Sequence, residues 1–148
     1  MQAIIFIGIQ GTGKSSFYFK QFFNSHIRIS MDLLNTRNKE NIFLETCFLS
    51  QSRFVVDNTN PTMSDRALYI NKAKENKYEV IGYYFNSSLE EALNRNSQRQ
   101  GKEKVPEIGI KGCYRKLEIP SYQEGFDKLY YVKLDDNQFI IEDWKNEI

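Results

Sequence analysis

A three-layer α/β domain on a five-stranded, mainly parallel sheet is what this sequence predicts, and three observations predict it. Short apolar runs rich in β-branched residues alternate along the chain with segments of helical periodicity. The first run, Ala3-Ile4-Ile5-Phe6-Ile7, leads directly into a glycine-rich loop and then a helix, Ser15 to Phe23. At 148 residues the chain has the length of one domain, 1–148, able to remove about two-thirds of its unfolded surface from water.

The remaining elements follow in order. Ile27 to Ser30 reads as a short second strand, and Asn41 to Ser50, apolar at 42, 43, 44, 48 and 49, as a helix. Phe54-Val55-Val56-Asp57 is the third strand. Pro61 to Ser64 opens a helix that continues through Asp65 to Lys74. Val80 to Phe85 is the fourth strand, and Ser87-Ser88-Leu89-Glu90 has capping-box spacing for a helix reaching about Gln98. The polar stretch Gln100 to Lys104 joins it to a helical segment beginning near Pro106. Leu129 to Leu134 is the fifth strand, and Phe139 to Trp144 is expected to pack as a short final helix. Phe17, Phe19, Phe22, Phe23, Phe43, Phe48 and Phe54 are assigned to the core; Tyr18, Tyr114 and Tyr122 are candidates for stacking on a base. His26, the one histidine, receives no role.

Gly8-Ile9-Gln10-Gly11-Thr12-Gly13-Lys14-Ser15 is a complete G-x-x-x-x-G-K-S loop in the strand–loop–helix setting that the motif requires. Its glycines let successive N–H groups converge on phosphate oxygens, and the helix start at Ser15-Ser16 adds partial positive charge. Lys14 is expected to reach the β- and γ-phosphates of ATP, and the Ser15 hydroxyl to help hold Mg²⁺. The fold expected is that of the P-loop NTPases and kinases. Residues 99–113 then form the lid over the phosphates, or else a plain solvated connection.

A net charge near +1 gives no global basic field, so any nucleic-acid contact needs a local patch. Cys47 and Cys113 lack metal or redox spacing and read as free thiols of a reducing compartment. No apolar stretch approaches the roughly 20 residues of a membrane helix. The chain begins directly in a core strand, without a signal region, so a soluble cytoplasmic protein is expected.

Ligands of open α/β sheets gather beyond the carboxyl ends of the strands, where further candidates fall. Asp57, closing an apolar strand, is placed to order Mg²⁺, or is a turn aspartate of the Asp57-to-Pro61 loop. Asp32, two residues past the second strand, is placed to accept a proton from an incoming hydroxyl, or is the N-cap of a helix. A basic cluster, Arg95, Arg99, Lys102, Lys104, Lys111, Arg115 and Lys116, covers the fourth helix and the lid; Arg99 stands at the lid's base, where an arginine stabilises a transferring phosphoryl group.

With these residues in view, the chain resembles the 5′-kinase domain of polynucleotide kinases, the phage and animal kinase-phosphatases. The resemblance lies in Phe54-Val55-Val56-Asp57-Asn58-Thr59-Asn60-Pro61 followed by Arg66, in Arg95-Asn96-Ser97-Gln98-Arg99, in Val105-Pro106 and in Gly112-Cys113-Tyr114-Arg115-Lys116. Pro120-Ser121-Tyr122-Gln123-Glu124-Gly125-Phe126 extends it, so that it runs from about Ala3 to Leu134. It implies ATP binding by residues 8 to 16 with Arg95 and Arg99, metal binding by Ser15 and Asp57, and Asp32 as the base that deprotonates a 5′-hydroxyl. Lys14 and Arg99 would assist the transfer. For the acceptor, Asn35, Arg37, Asn58, Thr59, Asn60 and Arg66 are the candidates. The family usually has a basic residue where this chain has Met31, and the phage enzyme an arginine where it has Asn35. No D-x-D-x-[TV] stretch is present, so only the kinase activity is implied. Two other readings stay open: a P-loop kinase acting on a small hydroxyl compound such as a nucleoside or sugar derivative, and a non-catalytic ATP-binding module.

Overall fold

The computed structural model describes residues 1–86 and 88–145, without the side chain of Lys102. Its strands are β1 (Gln2–Ile7), β2 (Ile27–Ile29), β3 (Phe54–Val56), β4 (Glu79–Phe85), β5 (Lys128–Asp135) and β6 (Gln138–Asp143). The helices are α1 (Lys14–Gln21), α2 (Met31–Leu34), α3 (Arg37–Ser50), α4 (Met63–Glu75), α5 (Leu89–Ser97) and α6 (Glu107–Lys116). One sheet carries the strands in the order β2-β3-β1-β4-β5-β6. All pairs are parallel except β5–β6.

β1 lies at the centre, and its side chains alternate between the two layers. Ala3, Ile5 and Ile7 join Phe54, Val56, Leu44, Phe48, Tyr69 and Ile70 beneath α3 and α4. Ile4 and Phe6 point the other way, to Val55, Phe85 and Val132 and to Phe17 and Tyr18 of α1. A smaller core of Ile9, Ala92 and Ile110 ties α5 and α6 to the loop after β1. There the buried Asn96 side chain donates to the Val105 carbonyl at 2.6 Å and accepts from the Val105 N–H at 2.8 Å, fastening the two helices together.

Three sequence expectations are corrected. The tail is a sixth strand: Asp136 and Asn137 both adopt positive φ (46° and 62°), the two-residue hairpin geometry that matches strand twist and turns the chain back along β5. The fold expected with five strands therefore has six. Of the phenylalanines assigned to the core, Phe19 of α1, Phe43 of α3 and Phe23, just past the end of α1, are exposed. Tyr18, a stacking candidate, is buried instead and donates to the His26 carbonyl at 2.6 Å.

Helix boundaries move by capping. α3 starts before Asn41 because the Thr36 hydroxyl accepts from the Lys39 N–H, and Thr62 with Asp65 forms a reciprocal box at the start of α4. Ser88 caps α5; Ser87, the first residue of the expected box there, lies outside the described residues. Among the described residues no helix is long and apolar enough to cross a membrane.

Candidate active site

The loop between β1 and α1 is closed by its neighbours. Gly8 donates to the Thr59 carbonyl at 3.0 Å, and Arg95 of α5 donates to the Gly11 carbonyl at 3.1 Å. Gly11 and Gly13 adopt φ of 80° and 91°, and a Cβ at position 11 would lie 2.6 Å from the Ala92 carbonyl oxygen. Only glycine fits this conformation and this contact. The N–H groups of Gly11 through Ser16 have no acceptor among the described residues, so the loop and the first turn of α1 present a cradle of free donors.

Lys14 folds back into this loop, donating to the carbonyls of Gly8 at 2.9 Å and Ile9 at 2.6 Å. Burial lowers its pKa to about 8. The charges of Asp57 and Asp32 oppose that shift and the charge of Arg99 adds to it.

The Ser15 hydroxyl donates to Asp57 Oδ2 at 3.0 Å. The pairing of a loop hydroxyl with a strand-end carboxylate fits a magnesium site, which Ser15 and Asp57 would hold together with oxygens of a bound nucleotide and water. Among the described residues no group of three or more His, Cys, Asp or Glu side chains is placed to hold a metal by itself. Sequence reasoning missed a third member. Arg28 of β2 donates from Nε to Asp57 Oδ2 at 2.9 Å and from Nη2 to Ser15 Oγ at 3.1 Å. A cation between two isoleucines of a predicted strand was the one local signal.

Asp32 is exposed on the short helix α2, whose N-cap is Ser30, so the N-cap alternative for Asp32 is excluded. The helix is fixed from below. Asn58 accepts from the Met31 N–H at 2.9 Å and donates to Glu40 at 3.0 Å. The buried Glu40 also accepts from the Tyr69 hydroxyl at 2.8 Å and from Arg37 at 3.0 Å. Glu40 was not singled out in the sequence, because a lone glutamate in a helix reads as solvated surface. Two buried oxygens at this end of the sheet, Gln10 Oε1 and Ser30 Oγ, lack partners among the described residues.

The acceptor candidates separate. Asn35 and Arg37 are exposed shortly after Asp32 in the chain, and Asn58 and Thr59 are half-buried in the segment after β3. Asn60 and Arg66 are corrected. Asn60 is buried and donates to the Phe6 carbonyl at 2.8 Å. Arg66, 0% exposed, forms a two-pronged pair with Glu124 at 2.8 and 3.1 Å and donates to the Asn60 carbonyl. Neither side chain is accessible to an acceptor.

Arg99 is half-buried just beyond α5, its guanidinium 3.5 Å from the Glu103 carbonyl oxygen. Cys113 faces the loop from α6; burial pushes its thiol pKa up, against the pull of the Thr59 hydroxyl and the Lys14 ammonium. Both cysteines are free thiols. Of the basic cluster, Arg95 and Arg99 turn to the loop, whereas Lys111 stands 4.0 Å from Glu107 and Lys104, Arg115 and Lys116 are exposed. A surface cavity of about 460 Å³ lined by Phe23, His26, Ile27 and Arg53 lies at the opposite, amino-terminal end of the strands, away from this chemistry.

With this geometry, comparison with known proteins has a definite meaning. The chain is 30% identical over 154 positions to a putative bifunctional polynucleotide phosphatase/kinase of Acanthamoeba polyphaga mimivirus, covering 97% of this chain and 36% of that one. It is 26% identical over 135 positions to the bifunctional polynucleotide phosphatase/kinase of Schizosaccharomyces pombe, covering 88% and 33%. The chain is a distant homologue of the bifunctional polynucleotide phosphatase/kinases. It spans about a third of the length of these relatives. No family model matches it. Its fold is that of the P-loop kinases. A gluconokinase from Sinorhizobium meliloti 1021 superposes with a TM-score of 0.63 at 17% identity, over 89% of this chain and 82% of that one. Kti12 of Chaetomium thermophilum, solved in complex with ADP-AlF3, does so with 0.64 at 14% identity, over 90% of each chain.

Proposed function

We propose that this chain is an ATP-dependent kinase that transfers the γ-phosphate to the 5′-hydroxyl end of a polynucleotide. The observation that carries the reading is the Ser15–Asp57 hydrogen bond at 3.0 Å next to Lys14, at a loop whose N–H groups are free to receive a phosphate chain. Residues 8 to 16 bind the phosphates of ATP, and Lys14 exchanges its loop carbonyls for the β- and γ-phosphate oxygens. Ser15 and Asp57 would hold Mg²⁺, which when bound neutralises charge on the phosphates. Asp32 accepts the proton of the acceptor hydroxyl as its oxygen bonds to the γ-phosphorus, while the bond from that phosphorus to the β-phosphate oxygen breaks and ADP leaves. Arg99 stabilises the charge on the phosphoryl group in transit, and Arg95 holds the loop in shape from behind.

Support for a polynucleotide acceptor comes from the distant relatives and from the exposed cation Arg37, five residues after Asp32. The neutral Asn35 favours a small hydroxyl compound as the competing acceptor. γ-Labelled ATP offered to a panel of 5′-hydroxyl oligonucleotides, nucleosides and sugars tests the reading; label on the oligonucleotides alone is expected. Label on the sugars or nucleosides alone replaces the acceptor, and label on nothing despite tight ATP binding leaves a nucleotide-binding module.

A further inference from the structure

Arg28 uses the same two groups that a divalent cation would need. The Ser15 hydroxyl spends its one proton on Asp57 Oδ2, so its lone pairs are what it can offer a metal. Arg28 Nη2 donates to that oxygen at 3.1 Å while Nε of the same planar fork donates to Asp57 Oδ2 at 2.9 Å. The three side chains form a closed ring of hydrogen bonds with one positive and one negative charge. Asp57 is deeply enclosed, its side chain 2% exposed, and an ionised carboxylate in such a place needs a cation.

The guanidinium is also free to leave. Its side chain is 21% exposed, and the rings of Tyr18 and Phe19 lie 6.0 and 5.7 Å from the guanidinium carbon. A guanidinium and a divalent cation repel each other at this range and compete for the Ser15 oxygen.

We propose that Arg28 is a resident counter-ion at the metal site: it holds Ser15 and Asp57 together in the nucleotide-free protein and yields the Ser15 oxygen to a divalent cation that arrives with a nucleotide. The proposal rests on the reading of this loop as a nucleotide site, but not on any acceptor. Arg28 keeps free divalent cations out of the empty loop. The phosphates, by supplying further oxygen ligands, tip the competition toward the metal.

The test is a Mn²⁺ titration of the full chain, with free Mn²⁺ read by electron paramagnetic resonance, first without nucleotide and then with ADP. Without nucleotide, Arg28→Gln is expected to bind one Mn²⁺ about tenfold or more tightly than the wild type. The double variant with Asp57→Asn loses that gain, and with ADP present the difference between wild type and Arg28→Gln narrows. Equal Mn²⁺ affinity in the wild type and a folded Arg28→Gln overturns the proposal. Should Arg28→Gln not fold, the wild type decides through the NMR signal of Arg28 Nε–H. It is expected to shift and exchange faster with water on adding Mg²⁺ and ADP together, but not with Mg²⁺ alone; an unchanged signal overturns the proposal. Neither measurement involves phosphoryl transfer, so failure here and failure of the kinase reading are separate results.

Discussion

On the phosphate side of the cleft the polar side chains are already spoken for: Lys14 lies on the Gly8 and Ile9 carbonyls, Ser15 on Asp57, Asp57 on Arg28. Across from it the Asp32 side chain is exposed and makes no hydrogen bond among the described residues, and the Asn35 side chain bonds only to the Leu33 carbonyl among them, at 3.3 Å. What is rigid on that side lies one layer deeper, in Glu40, Tyr69 and Asn58. The contrast teaches how a transfer site divides its work. The phosphate chain is the same in every cycle and rewards donors fixed in advance. An acceptor brings its own shape, so the chain fixes the helix that carries Asp32 and leaves the surface around it open.

The sharpest way to break this division is Asp32→Asn. If the exposed carboxylate is the base, kcat falls on the order of 10²–10⁴-fold while ATP affinity is unchanged, because the cradle does not depend on it. A kcat within twofold of wild type removes the base assignment.

Glu124→Ala tests the other side of the comparison, the expectation that Arg66 is buried support and not surface. Breaking a buried ion pair and leaving Arg66 uncompensated costs about 3–5 kcal/mol. Urea unfolding should show that loss, while the acceptor KM of the folded fraction stays unchanged. A raised acceptor KM without loss of stability would return Arg66 to the acceptor site.

A third test uses pH. The Lys14 pKa falls from the ordinary 10.5 to about 8 on folding, because burial disfavours its charged form. Between those values the unfolded chain holds more protons, so the stability of the nucleotide-free protein rises with pH from about 8 to 10.5. A phosphate beside Lys14 reverses the shift by favouring the charged form. Nucleotide binding above pH 8 should therefore take up a proton, and affinity should fall about tenfold per pH unit above that point. Calorimetry in buffers of different ionisation enthalpy measures the uptake; no proton uptake at pH 9 would mean that Lys14 stays on the loop carbonyls.

The same contrast governs what was legible in the sequence. The cradle could be read because its demands are local: glycine where φ is positive, lysine and serine at fixed offsets, in one stretch between a strand and a helix. Asp32 and Asp57 could be placed because strand ends are legible. Arg28, Glu40 and the pairing of Arg66 with Glu124 could not, since each becomes meaningful only when β2 lies beside β3, or α4 beside the segment before β5. Arg66 was misread for that reason: sequence places it near the acceptor loop, and only packing shows it turned inward. The hairpin at Asp136-Asn137 was a local signal that was overlooked in favour of the apolar residues after it.

The smallest effect is the one that bears most on the acceptor. Arg37 is 69% exposed in its side chain, with Nη1 on Glu40 and Tyr69, so its remaining donors face solvent. A single phosphate contact from such a residue adds roughly 0.7 to the slope of log affinity against log salt for a single strand. Arg37→Ala is expected to raise the oligonucleotide KM about three- to tenfold and to flatten that slope by this amount, with the ATP KM unchanged. A loss of stability with an unaltered salt slope would place Arg37 in the Glu40 network alone. It would leave the open side of the cleft without a cation of its own for a polynucleotide, and so strengthen the case for a small acceptor.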